Sequence, residues 1–139
     1  MIERRRSKLH GWGVFAKVRI PKNKRIIHYA GEKITHREST KREAEYLRQG
    51  RIWCFLLNSR WVIDGSVGGN NSRFINHSCT PNCDYRIADR RVLIHAAQDI
   101  AEGEELTIDY SFSPEGERIS CCCGSPGCRG QINSAGDGD

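Results

Sequence analysis

The sequence predicts a mostly β domain with short helices and a small metal-binding tail at its C-terminal end. Three observations carry this. The apolar runs are short and each stops at turn residues, a pattern of strands rather than helices. A single stretch has both a helix start and a helix stop signal. Four of the seven cysteines crowd into positions 121–128.

The elements follow in order. His10-Gly11-Trp12-Gly13 reads as a tight turn leading into Val14-Phe15-Ala16, and Pro21-Lys22-Asn23 as a second turn. Residues 25–29 read as a strand. Thr35-His36-Arg37-Glu38 has the Ser/Thr-x-x-Glu form of a capping box, opening a charged helix that runs to about Gln49, where Gly50 stops it. Its clear apolar residues are Ala44, Tyr46 and Leu47, so it is expected on the surface. Residues 53–57 and 61–63 read as two strands around Asn58-Ser59-Arg60. Residues 65–71 form a glycine-rich loop that lacks the Gly-Lys-Ser/Thr ending of a phosphate loop. Residues 90–97 and 104–110 read as further strands. Gly116 opens the tail, and residues 134–139 are expected to be disordered.

A length of 139 residues suits one domain, or one domain with an appendage. The charged and apolar fractions are ordinary for a globular protein. No run of about 18 apolar residues occurs, so no membrane span is expected. The positive N-terminus has no apolar stretch behind it and does not read as a secretory signal. An intracellular location, cytoplasmic or nuclear, is the expectation. The net charge is +5, with nine bases against Glu3 over residues 1–25, while Asp99, Glu102, Glu104, Glu105 and Asp109 meet no base in 99–109. The basic end is either a solvated surface or a contact for nucleic acid or another acidic partner. The acidic stretch either aids solubility or favours a basic peptide.

Two polar clusters suggest a site. Asn76-His77-Ser78-Cys79 places four hydrogen-bonding side chains in a row, each needing a partner if buried. Residues 103–110, GEELTIDY, combine a turn, an acidic stretch and a strand ending in Tyr110. If the two meet, they form a pocket with an amide, an imidazole and a phenol. No serine-hydrolase pair, His-x-x-x-His site or convincing pair of catalytic carboxylates accompanies them. A reaction that depends on positioning more than on acid–base chemistry fits best.

The tail reads Cys-Cys-Cys-Gly-Ser-Pro-Gly-Cys. Cys121, Cys123 and Cys128 can converge on one point, and three thiolates need a fourth ligand to complete a structural zinc tetrahedron. That ligand must come from the body of the fold, with Cys79 or Cys83 as the donor. A disulfide knot is the competing reading; the odd cysteine count argues against it.

Taken together, HGWGVFA at 10–16, YAGE at 29–32, RFINHSCTPNC at 73–83, GEELTIDY at 103–110 and the Cys-x-Cys-x4-Cys tail resemble, in order, the motifs of the SET-domain protein-lysine methyltransferases with a post-SET zinc segment. The resemblance covers residues 8–133. It implies a pseudoknot-like β fold of the β-clip type, in which the NHSC segment and the segment after Tyr110 thread past each other. It divides the chain into a SET domain at 1–115 and a post-SET segment at 116–133.

It also implies roles. His10, Gly11, Trp12, Gly13, Asn76 and His77 would bind S-adenosylmethionine, with Trp53, Arg73, Tyr110, Cys122 and Ile132 completing that site. Tyr110 would be catalytic. Trp53, Tyr85, Ile108, Tyr110 and Phe112 would line a lysine channel. Cys79 would be the fourth zinc ligand beside Cys121, Cys123 and Cys128, leaving Cys83 as a small buried residue. The implied partner is a lysine-bearing protein or peptide such as a histone tail, met by a monomer. A catalytically inactive, zinc-stabilised SET-like binding module is the alternative. Many members have tyrosine where this chain has Trp53, and Phe or Tyr where it has Ile108; Tyr85 would then project into the methyl-transfer region.

Overall fold

The computed structural model describes residues 1–110, 119, 121 and 123–132. Among the described residues the strands are β1 (Ile2–Arg6), β2 (Trp12–Ala16), β3 (Arg25–His28), β4 (Glu32–Thr35), β5 (Cys54–Leu56), β6 (Trp61–Asp64), β7 (Asn76–His77), β8 (Cys83–Ala88), β9 (Arg91–Ala96) and β10 (Thr107–Ile108), with one α-helix, α1 (His36–Arg48). The mostly β expectation is met. The chain divides into two compact units, one of Met1–Lys24, Phe74–Asp84 and His95–Asp139, the other of Arg25–Arg73 and Tyr85–Ile94. The boundary expected at residue 116 and the segment after Tyr110 lie outside the described residues.

In the first unit, β1 and β2 form an antiparallel hairpin with Ile2 opposite Ala16 and Arg6 opposite Trp12. Strand β1 is not apparent in the sequence, because its three consecutive arginines mask it. Their stems are accommodated by rings: Arg4 and Arg6 stack on Trp12, Arg4 also on Phe74, and Arg5 on Phe15. Val14 and Ala16 face inward and join Ile20, Ile75, Ile100, Leu106 and Ile108 in a core that is almost wholly buried. β7 and β10 pair in parallel, Asn76 beside Thr107 and His77 beside Ile108. The regular strand expected over 104–110 is shorter than its motif. Before Thr107 the chain instead bridges β2, with Glu105 opposite Phe15 and the Leu106 N–H donating to Val14.

In the second unit, β4, β6 and β5 form one antiparallel sheet in that order, and β3 and the parts of β9 and β8 that belong to this unit are ordered in another. β4 and β8 were not read from sequence. The described residues of β8 beyond Cys83 are all exposed, so no alternation of apolar and polar residues marks the strand. The N-terminus of α1 is capped as expected, the Thr35 hydroxyl accepting from the Glu38 N–H at 3.2 Å. Glu38 does not close the box. It turns to Arg42, 2.9 Å away, an ion pair one helical turn on.

Arg42 and Tyr46 join the helix to a fully buried carboxylate, Asp64. Arg42 donates to it at 2.9 Å, the Tyr46 hydroxyl at 2.7 Å, and Ser66 through both hydroxyl and N–H. Burial would raise the Asp64 pKa, but these four donors outweigh it and hold it below the ordinary carboxylate value.

Candidate functional site

The hairpin between β1 and β2 turns through Ser7–Gly11, where the Ser7 N–H donates to Gly11 and Gly11 adopts a left-handed φ of 45° that favours glycine. Two residues on, the Glu105 carboxylate lies against Gly13: a Cβ there would sit 2.3 Å from a Glu105 oxygen. Glu105 accepts from the Ser7 hydroxyl at 2.8 Å and from the Asn76 amide at 2.9 Å. Asn76 also donates to the backbone carbonyls of His10 and Trp12, at 3.1 and 3.0 Å. The two motifs singled out in the sequence therefore meet, and the His10–Gly13 turn joins them.

The residue that organises this meeting, Glu105, was read from sequence only as part of an acidic stretch. Its signal was weak: an acid two residues after the Gly103 turn. Asn82 was missed as well. It is buried, accepts from the Thr107 N–H and donates to the Glu105 carbonyl, both at 2.8 Å, and so aligns β10.

His77 is buried, and its two ring nitrogens have separate partners. The Tyr110 N–H can only donate, so Nδ1, 3.1 Å away, must accept. The proton of the neutral ring then sits on Nε2, 3.4 Å from the Cys79 sulfur. Burial lowers the His77 pKa; nearby Asp109 opposes the shift and Arg129 adds to it, so the ring is neutral at pH 7. The Tyr110 hydroxyl donates to the Ile75 carbonyl at 2.5 Å. Burial, and secondarily the Glu105 charge, raise its pKa, which keeps it a phenol.

The sulfurs of Cys79, Cys121, Cys123 and Cys128 lie within 4.8 Å of one another. Cys79 and Cys121 are 3.9 Å apart. Four zinc–sulfur bonds of about 2.3 Å span a tetrahedron with edges of roughly 3.8 Å, so the donor set fits zinc in chemistry and in size. Backbone N–H groups of Arg129 and Gly130 point at the Cys79 and Cys128 sulfurs, each at 3.4 Å, and would stabilise thiolates. Cys83 is 1% exposed and stands outside the cluster, and burial pushes its thiol up to about 12. The sequence left Cys79 and Cys83 open on spacing; the cluster takes Cys79.

Arg129, also unforeseen, ties the tail down. Its guanidinium forks onto Asp109 at 2.8 and 3.0 Å and donates to the Ile132 carbonyl. Ile132 is buried, with its N–H on the Ile119 carbonyl.

The remaining candidates distribute as follows. Ile108 is buried in the first unit. Trp53, Arg73 and Tyr85 belong to the second, where the Arg73 guanidinium lies 5.7 Å from the Trp53 ring and the Tyr85 ring meets Phe55 edge-on at 4.8 Å. Phe112 and Cys122 lie outside the described residues.

A family model described as SET domain matches residues 11–111. Among curated relatives, a histone-lysine N-methyltransferase, H3 lysine-4 specific, of Emericella nidulans is 44% identical over 137 residues, covering 92% of this chain and 11% of the relative. One of the same description from Schizosaccharomyces pombe is 44% identical over 133 residues, covering 91% and 14%. Histone-lysine N-methyltransferase set-2 of Caenorhabditis elegans is 39% identical over 139 residues, covering 96% and 9%. The chain thus spans only a small part of the length of these relatives.

Proposed function

We propose that this chain, which belongs to the SET-domain family, is the methyl-transferring domain of an S-adenosylmethionine-dependent protein-lysine methyltransferase. The observation that carries the proposal is the junction at Asn76, where one carboxamide binds the His10 and Trp12 carbonyls and Glu105 while its strand pairs beside the one leading to Tyr110. In this reading the backbone of His10, Gly11, Trp12 and Gly13, with Asn76 and His77, forms the cofactor cradle. By the resemblance, Trp53, Arg73, Tyr110, Cys122 and Ile132 would complete it, and Trp53, Tyr85, Ile108, Tyr110 and Phe112 would line the lysine channel. S-adenosylmethionine supplies a methyl group already activated by its sulfonium.

The protein's own task is alignment and desolvation. A lysine amine, with an ordinary pKa near 10.4, must lose its proton before it can attack. An apolar channel favours the neutral amine. The Tyr110 phenol, held protonated and oriented by Ile75, offers its oxygen to position that amine. Zinc, bound by Cys79, Cys121, Cys123 and Cys128, would be structural, since four protein ligands leave no open position.

The substrate for which the relatives are named makes the histone H3 tail the first candidate, and such a substrate implies a nuclear setting. The decisive assay incubates the chain with methyl-labelled cofactor, histone H3 and a panel of other lysine-rich proteins, and maps the product by mass spectrometry. Methyl-lysine on H3 is expected. Cofactor binding without transfer to any substrate would favour the inactive module.

A further inference from the structure

The second unit carries a surface cavity of about 470 Å³ that the proposed reaction does not use. Its volume lies within the range of ligand pockets, about 300–1,000 Å³. Lys33, Asn58, Ser59, Arg60, Trp61 and Arg90 line it. Three of these are cations and none is an acid.

The local fold explains how they converge. In the β4–β6 ladder Thr35 faces Trp61 and Lys33 faces Ile63, so Lys33 and Trp61 are diagonal neighbours on one side of the sheet. The Asn58 side chain accepts from the N–H groups of Arg60 and Trp61, which shapes the turn that presents Arg60. Arg90 comes from the β8–β9 turn, where it holds a left-handed φ of 60° that side-chain-bearing residues rarely adopt.

Elsewhere in the chain several arginines are neutralised: Arg42 by three carboxylates, Arg19 by Asp99, Arg129 by Asp109. Among the described residues, Lys33, Arg60 and Arg90 have no such partner. Three like charges around one concavity repel one another, and an anion relieves that repulsion. The half-buried Trp61 adds a π-face, and no described group hydrogen-bonds its indole N–H.

We propose that this cavity binds single-stranded nucleic acid, with phosphodiesters on Lys33, Arg60 and Arg90 and a base against Trp61. An acidic peptide would satisfy the cations but has no use for the aromatic ring. A duplex would satisfy the cations but hides its base faces. A single strand uses both features.

The test is fluorescence anisotropy of the full chain with an end-labelled oligouridylate. Micromolar binding is expected at low salt. Exchanging Lys33→Glu with Arg60→Glu should weaken it at least 10-fold. The salt slope should fall by roughly 1.4, two contacts at about 0.7 each for a single strand. The milder pair Lys33→Gln and Arg60→Gln guards against misfolding and should weaken binding in the same sense. Arg4→Glu with Arg6→Glu, on the other basic surface, should have less effect. The proposal is overturned if the wild-type chain fails to bind, if the Arg4 and Arg6 pair carries the affinity instead, or if labelled polyglutamate binds more tightly than the oligonucleotide.

Discussion

Tyr110 does two jobs with one side chain and one N–H. Its phenol bonds the Ile75 carbonyl, and its amide fixes the tautomer of His77. Tyr110→Phe should therefore leave the proposed cofactor cradle in place but strip an oriented oxygen from the proposed transfer point. A loss of about 10²–10³ in methylation rate is expected. Calorimetry should find nearly unchanged cofactor affinity, and the lost hydrogen bond should cost about 0.5–1.5 kcal/mol of stability. A variant that methylates at the wild-type rate would make Tyr110 a packing residue. The cysteines give an equally sharp contrast. Cys128→Ser should abolish stoichiometric zinc by elemental analysis, whereas Cys83→Ser should retain it, because Cys83 is buried apart from the four clustered sulfurs.

At the level of elements, the short parallel pair β7–β10 matters more than its two residues per strand suggest. It brings side chains about thirty positions apart in sequence onto neighbouring strands. The β8–β9 hairpin offers a cleaner test of local physics. Its two loop residues, Asp89 and Arg90, both have positive φ, the requirement of a type I′ turn that Asn-Gly meets with least strain. Replacing them by Asn-Gly should stabilise the protein by about 1 kcal/mol, measured by denaturant unfolding. No gain would mean that other contacts of Arg90 offset its backbone strain. The same variant removes one of the three cavity cations, so oligonucleotide binding should weaken even as stability rises.

On the scale of the whole molecule, stability has two chemically distinct dependences. Asp64 is fully buried and its folded pKa is depressed by Arg42, Tyr46 and Ser66. Its contribution is present above the unfolded value near 3.9 and is lost as pH falls through the lower folded value. Asp64→Ala should cost about 3 kcal/mol, the low end for a broken buried pair, because Arg42 keeps Glu32 and Glu38. It should also flatten the acid limb of a stability–pH profile; an unchanged acid limb would mean that Asp64 does not govern it. With zinc on its four clustered sulfurs, the tail would depend on metal instead. Among the described residues, backbone bonds from Cys121 to Gly130 and from Ile132 to Ile119 lie within it. A chelator should therefore raise hydrogen exchange at these amides before it affects β2 or β9.

The sequence by itself determined the β-rich class, the capped helix, the three-cysteine tail and the ordered motifs that mark the family. Each of these is written in local chemistry: turn residues, a capping threonine, thiol spacing, a polar run. What only the tertiary structure decided is which distant groups meet. Glu105 looks like any surface acid until its bridge to β2 lays it over Gly13 and beside Asn76. Cys79 and Cys83 are equal candidates on spacing until one sulfur lands 3.9 Å from Cys121 and the other enters the core. Strand β1 is hidden by its arginines until the rings of Trp12, Phe15 and Phe74 receive them. The physical reason is common to all three. Propensity and capping act over a few residues along the chain, whereas parallel pairing, ring stacking and thiol convergence depend on distances that only the folded chain sets.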